Sequence, residues 1–342
     1  MRSAAVAMLL ILLCGAAGPS TAPSPATRAD ESAPALRLMK TIPLGDVAGR
    51  IDHMALDAER GVLFVAALGN NSVEAVDVKS GEVVARATRT SEPQGIRVLA
   101  NGRVAVASGA DGVLRIYDAK LRELAHLDQM EDADNVRYDA AANRLYVGYG
   151  GKDKGGLAVI DPDKVARVAN VELPSHPESF QIGPAGKRIF VNLPAGKQVA
   201  VVDSATNKVA TTWSLRSAQN FPMGLDDRHH RLLVACRKPP RLVMLDSDSG
   251  KQLKSAETAG DADDLWVDPV LNRVYVTGGD GTIAVHELGG PDPLHLVDRI
   301  DTAEGARTSY FEAAARRLYV AVPKRDERPA ELRVYEPPAA AK

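Results

Sequence analysis

Cysteine, aromatic side chains, net charge and long apolar runs are all scarce in this chain, and each scarcity closes off a class of protein. The 342 residues include two cysteines, Cys14 and Cys236. Cys14 falls in an N-terminal segment that reads as removed on export, which leaves Cys236 without an intramolecular disulfide partner. No Cys-x-x-Cys-His occurs, so a covalently attached c-type haem is excluded, and neither haem nor nucleotide is expected as a cofactor. Aromatics make up 4% of the chain, too few for a stacking floor under a quinone or a glycan. Lys and Arg number 42 against 44 Asp and Glu, a formal charge of −2, so no basic field draws nucleic acid or an anionic membrane surface. The apolar run of residues 6–13 is shorter than the roughly 20 residues of a spanning helix, so no transmembrane segment is expected.

That run has another use. Arg2 supplies a positive start, residues 6–13 an apolar middle, and Gly15, Ala16 and Ala17 a small-residue cleavage site, the pattern of a secretory signal over residues 1–17. Cys14 raises lipidation, although the bulky Leu13 stands where a small residue is wanted. Residues 18–34 are rich in Pro, Ala, Ser and Thr and read as a disordered linker, and residues 338–342 as a disordered tail. The expected address is periplasmic or secreted.

Between them, residues 35–337 repeat one pattern seven times. Its anchors are Leu56, Val98, Tyr138, Ile182, Leu225, Val267 and Phe311, at intervals of 42, 40, 44, 43, 42 and 44. β-type segments at that period are the mark of propeller blades of about 40 to 45 residues. In the first copy, strands are expected at residues 53–57, 63–67, 72–78 and 82–88, with Gly69-Asn70-Asn71 supplying a turn that tolerates positive φ. The seventh copy lacks its fourth strand, while residues 36–44 form a strand with no blade of its own. The fold class is therefore all-β, a seven-bladed β-propeller of four-stranded blades, closed by the N-terminal strand. A monomer is expected.

Several segments resemble a known group. Arg144-Leu-Tyr-Val-Gly-Tyr, Arg188-Ile-Phe-Val-Asn-Leu with Val199-Ala-Val-Val-Asp-Ser-Ala-Thr-Asn-Lys-Val, and Arg273-Val-Tyr-Val-Thr-Gly are similar to YVTN-type β-propeller repeats. Nearly all of the mature chain resembles the exported YncE-like propellers of bacteria. The resemblance implies a seven-bladed ring and a periplasmic address, and it implies no single reaction.

Function is sought where the first strand of each blade lines the channel. Period two assigns Met54, Ile96, Val136, Phe180, Met223, Leu265 and Ser309 to the packing between blades. The opposite parity, with His53, Asn135 and Asp264 in one layer and Arg97, Arg137 and Trp266 one step deeper, faces the channel. The loops that enter these strands add Asp52, Asp134, His176, Glu178, Asn220, Asp263 and Arg307, and they gather acid in a chain that is near neutral overall. These acids are either ties between blades, as Asp and Asn often are in turns, or a site for a small ligand or a protein partner at the upper propeller face. As a site, the oxygen-rich set suits one divalent metal, Ca²⁺ or Mg²⁺, with His53 and His176 admitting Zn²⁺.

Glu178, Asn135, Asn220 and Asp264 also resemble, by residue type, the Glu, two Asn and Asp that hold one axial metal in gluconolactonase and senescence-marker propellers. That resemblance implies a metal-dependent lactonase as the alternative to a binding protein. The metal would act as Lewis acid with Asp263 or His53 as base.

Overall fold

The computed structural model describes Met1 and residues 34–338. The signal peptide and linker expected over residues 2–33, and the tail beyond 338, lie outside the described residues.

Seven four-stranded antiparallel sheets form the ring of a seven-bladed β-propeller. The first blade follows the pattern read from its sequence: Met54–Asp57, Val62–Ala67, Ser72–Asp77 and Glu82–Thr88 pair in order. Asn71 holds the left-handed turn between the second and third strands at φ 53°. The turn into the outer strand recurs with an Asp whose carboxylate accepts backbone N–H groups two or three residues on. Asp77 does this for Ser80, Asp203 for Thr206 and Asp246 for Ser249, and these bonds hold all three carboxyls below their usual range.

The ring closes as the orphan strand requires. Arg37–Pro43 pairs antiparallel with Glu331–Glu336 and becomes the outermost strand of the seventh blade, with Ile42 opposite Leu332. Leu36, Ile42 and Leu44 are fully buried by this closure. Each such side chain stabilises the fold by roughly 1.5–3 kcal/mol.

The core is seven seams, not one centre. Each apolar cluster joins two neighbouring blades, and the seam of the seventh and first blades unites Ile42, Leu44, Leu63, Val65, Tyr319 and Leu332. Alternation in the middle strands explains this, since both faces of every blade meet a neighbour. What remains for the axis is the short inner strand of each blade and the loop that enters it. There the alternation breaks. The inner strands Pro93–Val98, Ala218–Asp226 and Ala262–Asp268 each carry a register shift near the upper end, between Pro93 and Ile96, Asn220 and Met223, and Ala262 and Asp264. A bulge of this kind re-aims the side chains before it.

Candidate metal centre

The bulges and loops set a ring that simple period two does not give. The residue four before each anchor is Asp52, Gln94, Asp134, Glu178, Phe221, Asp263 or Arg307, one per blade, and all seven line a cavity of about 160 Å³ in the upper channel. The residue six before the anchor holds the left-handed conformation in five blades, at Glu92, Asp132, Gln219, Asp261 and Gly305. That turn swings the following chain toward the axis. The residue five before the anchor points the other way, and Ile51, Ala133, Ala262 and Ala306 are buried there among the seams.

Asn220 occupies that inward-buried position in the fifth blade. It is fully buried, and its Nδ2 donates to Asn192 Oδ1 at 3.0 Å and to the Gln198 carbonyl at 2.8 Å. It ties the fourth blade to the fifth and lies outside the residues lining the cavity, where Phe221 takes the ring position. The entering loop alone suggests Asn220 at the axis, and the bulge between Asn220 and Met223 puts Phe221 there instead.

Two of the acids expected at the mouth, Asp52 and Asp263, are claimed by arginines, as is the neighbouring Asp261. Arg50 donates to Asp52 at 2.7 Å, and Arg307 meets Asp261 at 2.8 Å. Arg237 meets Asp263 at 2.6 Å and Asp261 at 3.2 Å while its guanidinium covers the Phe221 ring. Arg237 ends a second strand, Arg231–Lys238, so the period-two pattern of the first strands does not point to it. The signal was a basic pair after the apolar run Leu232-Leu233-Val234-Ala235-Cys236.

Asp264 sits lower, between two chambers. One of its oxygens lies 3.3 Å from His53 Nδ1 and the other accepts the Ser309 N–H at 2.8 Å. Burial works against a charge on His53, but the Asp264 and Asp52 carboxylates win and raise it to about 10. Below His53 and Ser179 a second cavity, of about 90 Å³, is walled by Arg97, Arg137 and Trp266. Burial and the like charge of Arg97 lower Arg137 to about 10.

Three donors stand apart from the arginine network. Asp134, His176 and Glu178 each bring a ligand atom within 4.8 Å of the others. His176 Nδ1 lies 2.6 Å from the Gly150 carbonyl oxygen. A carbonyl only accepts, so Nδ1 carries a proton, and Nε2, 3.8 Å from Asp134, is the nitrogen that faces the cavity and can take a ligand once it is deprotonated. The Glu178 carboxylate makes no hydrogen bond and no ion pair among the described residues. Burial and then the charge of Asp134 push it up to about 8. Burial opposes a charge on His176, yet Asp134 raises it to about 9. Asp134 itself is pushed up by burial, but His176 and His53 more than offset this and hold it below the usual carboxylate range. In the same cavity the Oδ1 of Asn135, a residue only 2% exposed, is buried with no hydrogen-bond partner. Such an orphaned acceptor costs about 1–3 kcal/mol unless something fills its lone pair.

Gly95 makes room for this corner. A Cβ there would run into the Asp134 carbonyl oxygen and the Val136 nitrogen. Its absence lets the second blade pass close beneath the Asp134–Asn135 backbone.

Comparison with known proteins supports the architecture. A chain of the Kuenenia stuttgartiensis hydrazine synthase matches with a TM-score of 0.69 at 15% identity, over 81% of this chain and 93% of that one. A chain of the mitotic checkpoint complex matches with a TM-score of 0.73 at 14% identity, over 96% of this chain and 98% of that one. At such identities the likeness is one of fold. No protein-family model matches the sequence, and no curated protein matches it. Among the described residues no helix is long and apolar enough to cross a membrane.

Proposed function

We propose that this chain is an exported YncE-like propeller that binds one divalent cation at the upper end of its channel, held by Asp134, His176 and Glu178, with Asn135 Oδ1 as a fourth donor. The observation that carries this reading is the pair of unanswered oxygens. Glu178 has no cationic partner, Asn135 Oδ1 has no donor, and both line one cavity with an imidazole whose outer nitrogen is already anchored. A cation answers all of them at once. One imidazole among oxygen donors favours Zn²⁺ or Mn²⁺ over Ca²⁺ and Mg²⁺, which take oxygen alone.

The lactonase alternative keeps Glu178 and Asn135 of its ligand set. Asn220 lies outside the cavity lining, where Phe221 takes its place, and Asp264 is turned to His53 and the Ser309 N–H, so the binding reading is the better supported. Titration of chelator-treated protein with Zn²⁺ and with Mn²⁺ in a calorimeter tests it. One ion per chain is expected, with binding lost in His176→Ala and in Glu178→Gln. Absence of binding, or binding that both variants retain, overturns it. A panel of lactones offered to the loaded protein asks in addition whether the cation polarises a carbonyl.

A further inference from the structure

The lower chamber holds the opposite chemistry to the upper one. Arg97 and Arg137 project into it from neighbouring blades, one residue before the anchors Val98 and Tyr138. Among the described residues neither guanidinium has a carboxylate within ion-pair distance. Among the described residues the Arg97 guanidinium makes no hydrogen bond, and that of Arg137 donates only to the Val136 carbonyl at 2.9 Å and the Ser179 hydroxyl at 3.1 Å. The one acid lining the chamber, Asp264, has its two oxygens turned to His53 and the Ser309 N–H. Two half-buried like charges facing one cavity repel each other, and they would both be answered by an anion between them.

The rest of the wall narrows the class of anion. Apolar Met54, Met223, Leu265 and the Trp266 ring share the chamber wall with polar Ser179, Gln181 and Ser309. A phosphate or sulfate is polar on every side and would turn some of its oxygens onto the apolar groups, which costs hydration there. A carboxylate is polar at one end only. The volume of about 90 Å³ has room for a few heavy atoms and not for a nucleotide.

We propose that the lower channel is a seat for a small monocarboxylate, its oxygens bridged by Arg97 and Arg137 and its short apolar remainder laid against Trp266 and Met223. Planar bidentate pairing suits guanidinium and carboxylate.

The tryptophans supply a probe. The chain has two, Trp213 and Trp266, and Trp213 lies in an outer strand against Phe190. In a Trp213→Phe background, fluorescence reports Trp266 alone. Acetate, propionate and butyrate are titrated at fixed ionic strength in chelator, with chloride and inorganic phosphate as controls, so the outcome does not depend on the metal reading. The expected result is a saturable change with the carboxylates and not with chloride. Affinity should rise from acetate to butyrate and fall at least tenfold in Arg97→Gln. Because the Arg97 guanidinium holds no partner among the described residues, that variant should keep the fold, which an unchanged melting temperature checks. Arg137→Gln serves as a second variant. A response to chloride of equal size, tighter binding of phosphate than of butyrate, no saturable response, or undiminished binding in Arg97→Gln would overturn the proposal.

Discussion

His176 donates its Nδ1–H to the Gly150 carbonyl oxygen at 2.6 Å, and so turns its other nitrogen toward Asp134. Gly150 takes a φ of 114°, where a side chain is strained, and a Cβ there would meet the Gly155 and Lys154 backbone. A hairpin in the third blade therefore fixes the tautomer of a ring in the entering loop of the fourth. This is the outer support a metal-bound histidine needs, and it exists in the fold before any ion arrives.

Metal uptake should expel protons. His176, raised to about 9, and Glu178, raised to about 8, both carry one at neutral pH and must lose it to bind a cation. Affinity for Zn²⁺ or Mn²⁺ should climb with pH up to about 9, approaching roughly a hundredfold per unit when two protons leave together. Calorimetry at pH 7 in buffers of different ionisation heat reads the number released. An affinity independent of pH between 6 and 8 would contradict the assignment of these two ligands.

The closing strand should be indispensable. Removing residues 1–34 serves as the reference, and removing 1–45 additionally deletes the pairing of Arg37–Pro43 with Glu331–Glu336 and the buried Leu36, Ile42 and Leu44. The loss of about 4.5–9 kcal/mol of burial compares with a total stability of roughly 5–15 kcal/mol for a domain. The longer deletion should melt far lower or fail to fold. Equal melting temperatures for the two would exclude closure by this strand.

Cys236 should resist thiol reagents in the native protein. It is fully buried in the second strand of the fifth blade, and burial pushes the thiol up to about 12, which leaves almost no thiolate. Labelling should therefore track unfolding by denaturant. Rapid labelling in buffer would refute this.

The fold was legible because a blade repeats its pattern seven times, and a missing strand at one end of the repeat matched an unclaimed one at the other. The channel was legible in part. Residues such as Asp134, Glu178 and Asp263 could be placed at the mouth from their distance to the anchors. The choice between Asn220 and Phe221 could not be made, because it turns on a bulge between Asn220 and Met223 that shifts the register. Arg237 was hidden for a different reason. It reaches the axis from the end of a second strand, and only the three-dimensional course of that strand brings it over Phe221.

Two acids one blade-pair apart should respond to neutralisation with opposite signs, measured by thermal unfolding in chelator. Asp264 accepts the buried Ser309 N–H and faces His53, so Asp264→Asn should destabilise by about 1–3 kcal/mol through unsatisfied partners. Glu178 has no partner to lose. Its folded pKa, about 8, lies above the ordinary 4.5, so the folded state holds a proton that the unfolded state has released. Stability therefore falls as pH rises from about 4.5 to 8. His176, raised from 6.5 to about 9, adds a second loss that continues to about 9. Glu178→Gln removes the first of these losses, so at pH 8 the metal-free variant should melt at or above the parent while it no longer binds the cation. Saturating metal should restore the parent's stability at pH 8 and do nothing for the variant. If Glu178→Gln is as destabilising as Asp264→Asn, Glu178 is a structural tie and the cation site is not where the geometry puts it.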